Sequence, residues 1–184
     1  MKLKSAPPAF FLVLLIAAPA SADLVVTGVD ARLDDLRLHV SARVELILSE
    51  QAELAIENGV PLVLLTEFEL QDEGFLWKRT LLESRVRRQL RYHGLAHSYV
   101  VEDLERGEID IFNSVSEALN SMGVLRDQVF SVPEDVQVGD QAYTLVVRSR
   151  LDINRLPAAL RPLAFFSSSW RLSSDWTRWQ VKTQ

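Results

Sequence analysis

Residues Leu36 to Leu46 read L-R-L-H-V-S-A-R-V-E-L, and the alternation within that stretch decides the fold class. Leu36, Leu38, Val40, Ala42, Val44 and Leu46 occupy every second place, with Arg37, His39, Ser41, Arg43 and Glu45 between them. A strand sends successive side chains to opposite faces, so a period of two sustained this far gives one apolar face and one wet face. That is the pattern of an antiparallel sheet lying on a core along one side.

Working outward, Leu24 to Val29 reads as the upstream partner of this strand, with Asp34-Asp35 in the turn. The same alternation recurs over Tyr143 to Ile153 and over Leu64 to Leu70. Tyr99 to Leu104 and Ile109 to Phe112 flank the turn signal Glu105-Arg106-Gly107-Glu108, which predicts a hairpin. Phe75 to Tyr92 fits two periods: Leu82, Val86 and Leu90 recur every four residues, yet Leu82, Ser84, Val86, Leu90 and Tyr92 also share one strand face. A strand is preferred, because Asp72-Glu73-Gly74 offers a turn from the preceding strand and the rival helix lacks an N-cap. Ser49 can cap a helix that Asn58-Gly59 ends, and Ser114 with Glu117 has capping-box spacing before a helix stopped at Gly123. The expected fold is mainly β: an antiparallel two-layer sandwich, immunoglobulin-like in general architecture, with two short helices. The alternative is an α+β arrangement with one antiparallel sheet.

The start of the chain carries an address. Lys2 and Lys4 precede the nearly unbroken apolar run Ala9 to Ala18, and Ala20-Ser21-Ala22 supplies the small residues that signal peptidase requires. Residues 1–22 are therefore expected to be a cleaved signal peptide, leaving residues 23–184 as a single exported, periplasmic domain. The apolar run is about half of the ~20 residues a spanning helix needs, and no later stretch approaches that length without a charge. The chain has no Cys, which excludes lipoprotein attachment, disulfides and thiol chemistry. After cleavage the 20 basic residues less Lys2 and Lys4 stand against 25 acidic ones, a net charge of −7 that argues against nucleic acid as partner.

Chemistry-bearing patterns are sparse. His93 and His97 have metal-ligand spacing, but Gly94 between them spoils the helix that would align them, and no H-E-x-x-H motif is present. Serines at 167, 168, 169, 173 and 174 lie near Asp175 without a G-x-S-x-G elbow, and no phosphate-cradling loop occurs. No catalytic, cofactor or metal residue is assigned. Two features suit binding. Arg85, Arg87 and Arg91 line the solvent face of the Phe75 to Tyr92 strand, with Arg79 nearby and Arg88 out of phase; guanidinium forks match carboxylate and phosphate, although Glu67, Glu69 and Glu83 across the sheet could simply neutralise them. Trp170, Trp176 and Trp179, with Phe165 and Phe166, follow the proline-bounded segment Leu156 to Leu163, a short lid or corner; they either close a core or form a partner surface.

Arg150-Leu151-Asp152-Ile153, Leu156-Pro157 to Leu163 and Trp170-Arg171-Leu172-Ser173-Ser174-Asp175-Trp176 resemble an exported family of Gram-negative bacteria known as a domain of unknown function. Leu48 to Leu65, Tyr92 to Tyr99 and Ser116 to Leu125 also fit its pattern. The resemblance implies no activity, ligand or site residue, but its members are often encoded beside a membrane sensor kinase, which implies envelope signalling. The expected function is a periplasmic binding or accessory module that takes an envelope protein partner. A carrier of lipid or another apolar ligand is the second reading, and an envelope hydrolase the third.

Overall fold

A computed structural model describes residues 23–73, 78–134, 136, 142–167 and 170–183. The expected signal peptide lies outside the described residues, as do Gly74, Ser168 and Ser169. Strand β1 (Asp23–Asp34) turns at Asp35 and Leu36 into β2 (Arg37–Ile47), and Asp35 takes a φ of 49° that a tight turn requires. Leu38, Val40, Ala42 and Val44 of β2 are all buried, as the alternation demands. Helix α1 (Glu50–Glu57) follows, with Ser49 Oγ accepting the Ala52 N–H and Gly59 at a φ of 81° just past its end. Then come β3 (Leu62–Glu73), β4 (Lys78–His93), β5 (Ser98–Asp103) and β6 (Ile109–Phe112). Helix α2 (Val115–Met122) precedes β7 (Val124–Ser131) and β8 (Tyr143–Leu151), and α3 (Arg161–Phe166), β9 (Thr177–Gln180) and β10 (Lys182–Thr183) complete the order.

The strands form two sheets, β10-β1-β2-β7 and β6-β5-β4-β3-β8-β9. Among the described residues every strand pairing is antiparallel except that of β10 with β1. The sheets face each other across one core in which Leu33, Leu38 and Val40 of the smaller sheet meet Phe68, Leu70, Leu90, Leu145 and Val147 of the larger. The Phe68 and Phe130 rings, one from each sheet, lie 5.5 Å apart between centroids. The mainly β sandwich expected from the alternation is the observed architecture, and the described part of the Phe75 to Tyr92 segment, from Lys78 onward, is a strand rather than a helix; Phe75, Leu76 and Trp77 lie outside the described residues.

The two sides of the sandwich differ. On one side β1 packs beside β8 and β9, and the tail crosses between sheets there: β9 pairs with β8, the Val181 N–H donates to the Tyr143 carbonyl, and β10 pairs with β1. On the other side the sheets splay, and α2 fills the wedge, packing on β4, β5 and β6 of one sheet and on β2 and β7 of the other.

Three expectations change in detail. Gly123 ends α2 with an ordinary φ of −82°, so its lack of a side chain serves close approach: a Cβ there would overlap the Val44 carbonyl oxygen, while the Gly123 carbonyl accepts the Val44 N–H at 2.8 Å. Pro162 does not stop a helical turn but sits in the first turn of α3, a third helix, where a missing N–H costs nothing because no acceptor precedes it. β1 runs twice as far as the Leu24 to Val29 reading, because a bulge between Val26 and Gly28 shifts its inward phase from Leu24 and Val26 to Ala31 and Leu33.

Candidate functional site

β3 lies inside the larger sheet between β4 and β8. Its even-numbered side chains, among them Phe68 and Leu70, enter the core, so Glu67 emerges on the outer face. Register then places Glu67 opposite Arg85 of β4 on one side and Arg148 of β8 on the other. Arg148 donates from Nε at 3.3 Å and Nη2 at 2.7 Å to Glu67 Oε2, and Arg150 Nε donates to the same oxygen at 3.2 Å. Arg85 Nε stands 3.7 Å from Oε1. Burial by itself would raise the Glu67 carboxyl, but the hydrogen bonds and charges of Arg148 and Arg150 outweigh it and hold the group below its ordinary value.

Three guanidiniums around one carboxylate leave a local excess of two positive charges on a chain whose net charge is −5. The Trp176 indole covers one of them, with Arg148 Cζ 4.5 Å from the ring centroid. Arg87 lies one pair further along, where it and Arg150 both oppose the buried Leu65 across the strands. Arginine stems flanking an apolar residue keep it from water while their heads stay wet. Arg87 donates from Nη1 to Glu105 at 3.2 Å, and its Nε is 3.8 Å from Asp152. Toward the other end of the face the charge reverses, because Glu69 sits opposite Glu83 rather than opposite an arginine.

Of the residues singled out in the sequence, Arg85 reaches Glu67 directly and Trp176 joins it through Arg148, while Arg87 stands one pair further along the same face. Arg91 stands apart near β5, paired with Glu102 at 3.6 Å. Trp170 is buried, and Trp179, opposite Leu145, shares the inner face and donates from Nε1 to Thr177 Oγ1. The sequence reading did not single out Arg148 and Arg150 for this cluster, although both alternate outward in the Tyr143 to Ile153 run.

The remaining polar groups serve the fold. The Ser174 N–H and Oγ bind the carbonyl and N–H of Ser149, whose own hydroxyl meets that of Thr66 at 2.8 Å. His93 Nδ1 accepts the Ala96 N–H, and His97 Nδ1 lies 3.0 Å from the Tyr92 hydroxyl within the β4–β5 turn. Among the described residues no three His, Asp or Glu side chains are grouped to hold a metal ion, and no helix is long and apolar enough to cross a membrane.

A family model for a domain of unknown function, DUF4390, matches residues 21–180. The chain belongs to the DUF4390 family. No curated protein and no solved structure matches it. All of the arginine cluster of this DUF4390 chain falls inside the matched span, whereas β10 lies beyond it.

The DUF4390 chain also holds a deeper arginine. Arg88 shares the inner face of β4 with Val86 and Leu90, and its Nη1 donates to the carbonyls of Ser121 and Val124 at the end of α2. Burial pulls the pKa of this guanidinium down, against the opposing charges of Asp103, Asp110 and Glu108. It lines a cleft of about 740 Å³ between the splayed sheets, walled largely by charged and polar side chains.

Proposed function

We propose that this chain is an exported periplasmic domain that works by binding, and that it takes an acidic segment of another envelope protein on the Arg85, Arg148 and Arg150 face. The carrying observation is the surplus of guanidinium around Glu67 on an otherwise acidic molecule. Arg85 is the most available of the three, with its side chain 57% exposed, and an incoming carboxylate can share the unused N–H groups of the cluster without building a new site. The neighbouring Glu69 and Glu83 pair repels acid and so gives the bound segment a direction. The basic, apolar and small-residue order of residues 1–22 supports export. The resemblance to an exported family encoded beside sensor kinases makes the extracytoplasmic region of such a kinase the first partner to try. The polar walls of the cleft and the filled space between the sheets favour this reading over an apolar cargo.

The test is photocrosslinking in intact cells from a reactive residue placed at Trp176, with fractionation and N-terminal sequencing of the processed chain. The reading expects a mature start at Asp23 and one dominant protein adduct that disappears in the Arg85→Glu/Arg150→Glu variant. An adduct indifferent to the charge reversal, or a chain retaining residues 1–22, overturns it.

A further inference from the structure

The arginine face leaves the far end of the larger sheet unexplained. Among the described residues β6 ends that sheet, and it borders the charged cleft. The Asp103 N–H donates to the Glu108 carbonyl, which fixes the hydrogen-bonding phase of the β5–β6 pair. Counting along the register, Asp110 turns its backbone toward Val101, while Ile109 and Ile111 turn their N–H and C=O groups away from β5 toward the open edge. The side chains divide differently. Ile109 and Ile111 stand on the outer face, 54% and 67% exposed, and Asp110 projects on the inner side into the mouth of the cleft.

We infer that β6 is a docking edge for an extended segment of a partner protein, which adds to the larger sheet as a further strand. The segment it fits carries apolar residues beside Ile109 and Ile111 and a lysine or arginine opposite Asp110. Charge decides the choice of occupant. Arg88 commits its Nη1 to the carbonyls of Ser121 and Val124, and Arg106 commits Nη1 and Nη2 to those of Arg126 and Asp127. Asp110 keeps only a 3.7 Å approach to Arg88 and remains 58% exposed, with Glu108 more exposed still. A second copy of this chain is disfavoured by the same residue, since a centred antiparallel pair of β6 strands sets Asp110 against Asp110 in the close, non-hydrogen-bonded position. An inward charge on a short edge guards against self-pairing while leaving the edge open to a complementary sequence.

The probe is a short blocked peptide alternating valine and lysine, compared with one of the same composition in scrambled order and one N-methylated on alternate residues along its pairing edge. With the purified protein, the alternating peptide is expected to slow amide exchange at Ile109 and Ile111. N-methylation is expected to weaken its binding by about tenfold or more, because it removes backbone donors that no side chain replaces. Asp110→Asn should weaken it too, and Arg85→Glu/Arg150→Glu should not, which keeps this outcome separate from that of the arginine face. Equal binding of all three peptides, protection elsewhere than β6, no binding, or a concentration-dependent dimer that protects the same amides each overturns the inference.

Discussion

Glu67 shows how one residue organises a face. Its carboxylate is partly buried, which alone would raise its pKa, yet the hydrogen bonds and charges of Arg148 and Arg150 keep it ionised, so its pKa is lower in the folded chain than the ordinary 4.5. Between the folded and ordinary values the unfolded chain binds the extra proton. The stability Glu67 contributes is therefore complete above the ordinary carboxylate range and is lost as pH falls through the folded value. Urea midpoints measured from pH 7 downward should fall more steeply below about pH 4.5 for the wild type than for Glu67→Gln; parallel curves would remove Glu67 from this role. The arginines around it were half legible. Period two in the Phe75 to Tyr92 segment put Arg85 and Arg87 outward, and the same count puts Arg88 inward beside Val86 and Leu90. What the pattern could not convey is why an inward arginine is tolerated, since its acceptors at Ser121 and Val124 lie more than thirty residues away.

At the scale of elements, strands and caps were readable where the cause is local, and obscured where a neighbour imposes it. Ser49 and Ser114 cap their helices through hydroxyls that accept the N–H three residues on, a rule written entirely in nearby sequence. The second half of β1 was missed because its bulge resets the alternation, and only pairing with β2 shows that the strand continues. Gly123 is the sharper case. Its position after α2 was evident, but the reason for glycine comes from the backbone of β2 passing beneath it. Gly123→Ala should therefore destabilise the protein by about 1–3 kcal/mol, as overpacking against an unyielding carbonyl does, whereas the same change at Gly94, with open space around it, should cost much less. Chemical denaturation of the two variants side by side checks this, and equal midpoints would contradict it.

For the molecule as a whole, the contacts that matter join the sheets. Phe68 lies in the middle of the larger sheet and is 1% exposed, against Phe130 of the smaller one. Truncation to alanine should cost about 3–5 kcal/mol, since the cavity it leaves is walled by strands that cannot collapse into it; a loss below 1 kcal/mol in urea titration would mean the sheets reseat themselves. The sandwich could be inferred from sequence because each of its faces alternates, but its asymmetry could not, because splaying at α2 and closure by the tail are decided by partners far apart in the chain. That closure has a consequence for the order of events. The strand made first finds the neighbour on its free flank only when residues 182 and 183 arrive, after some 150 intervening residues. Throughout synthesis β1 and β2 can zip together early, but the stretch of β1 that β10 pairs, at Arg32 and Leu33, stays uncovered until the tail arrives. Until then that short stretch is an open strand edge, able to take a competing segment in place of the tail.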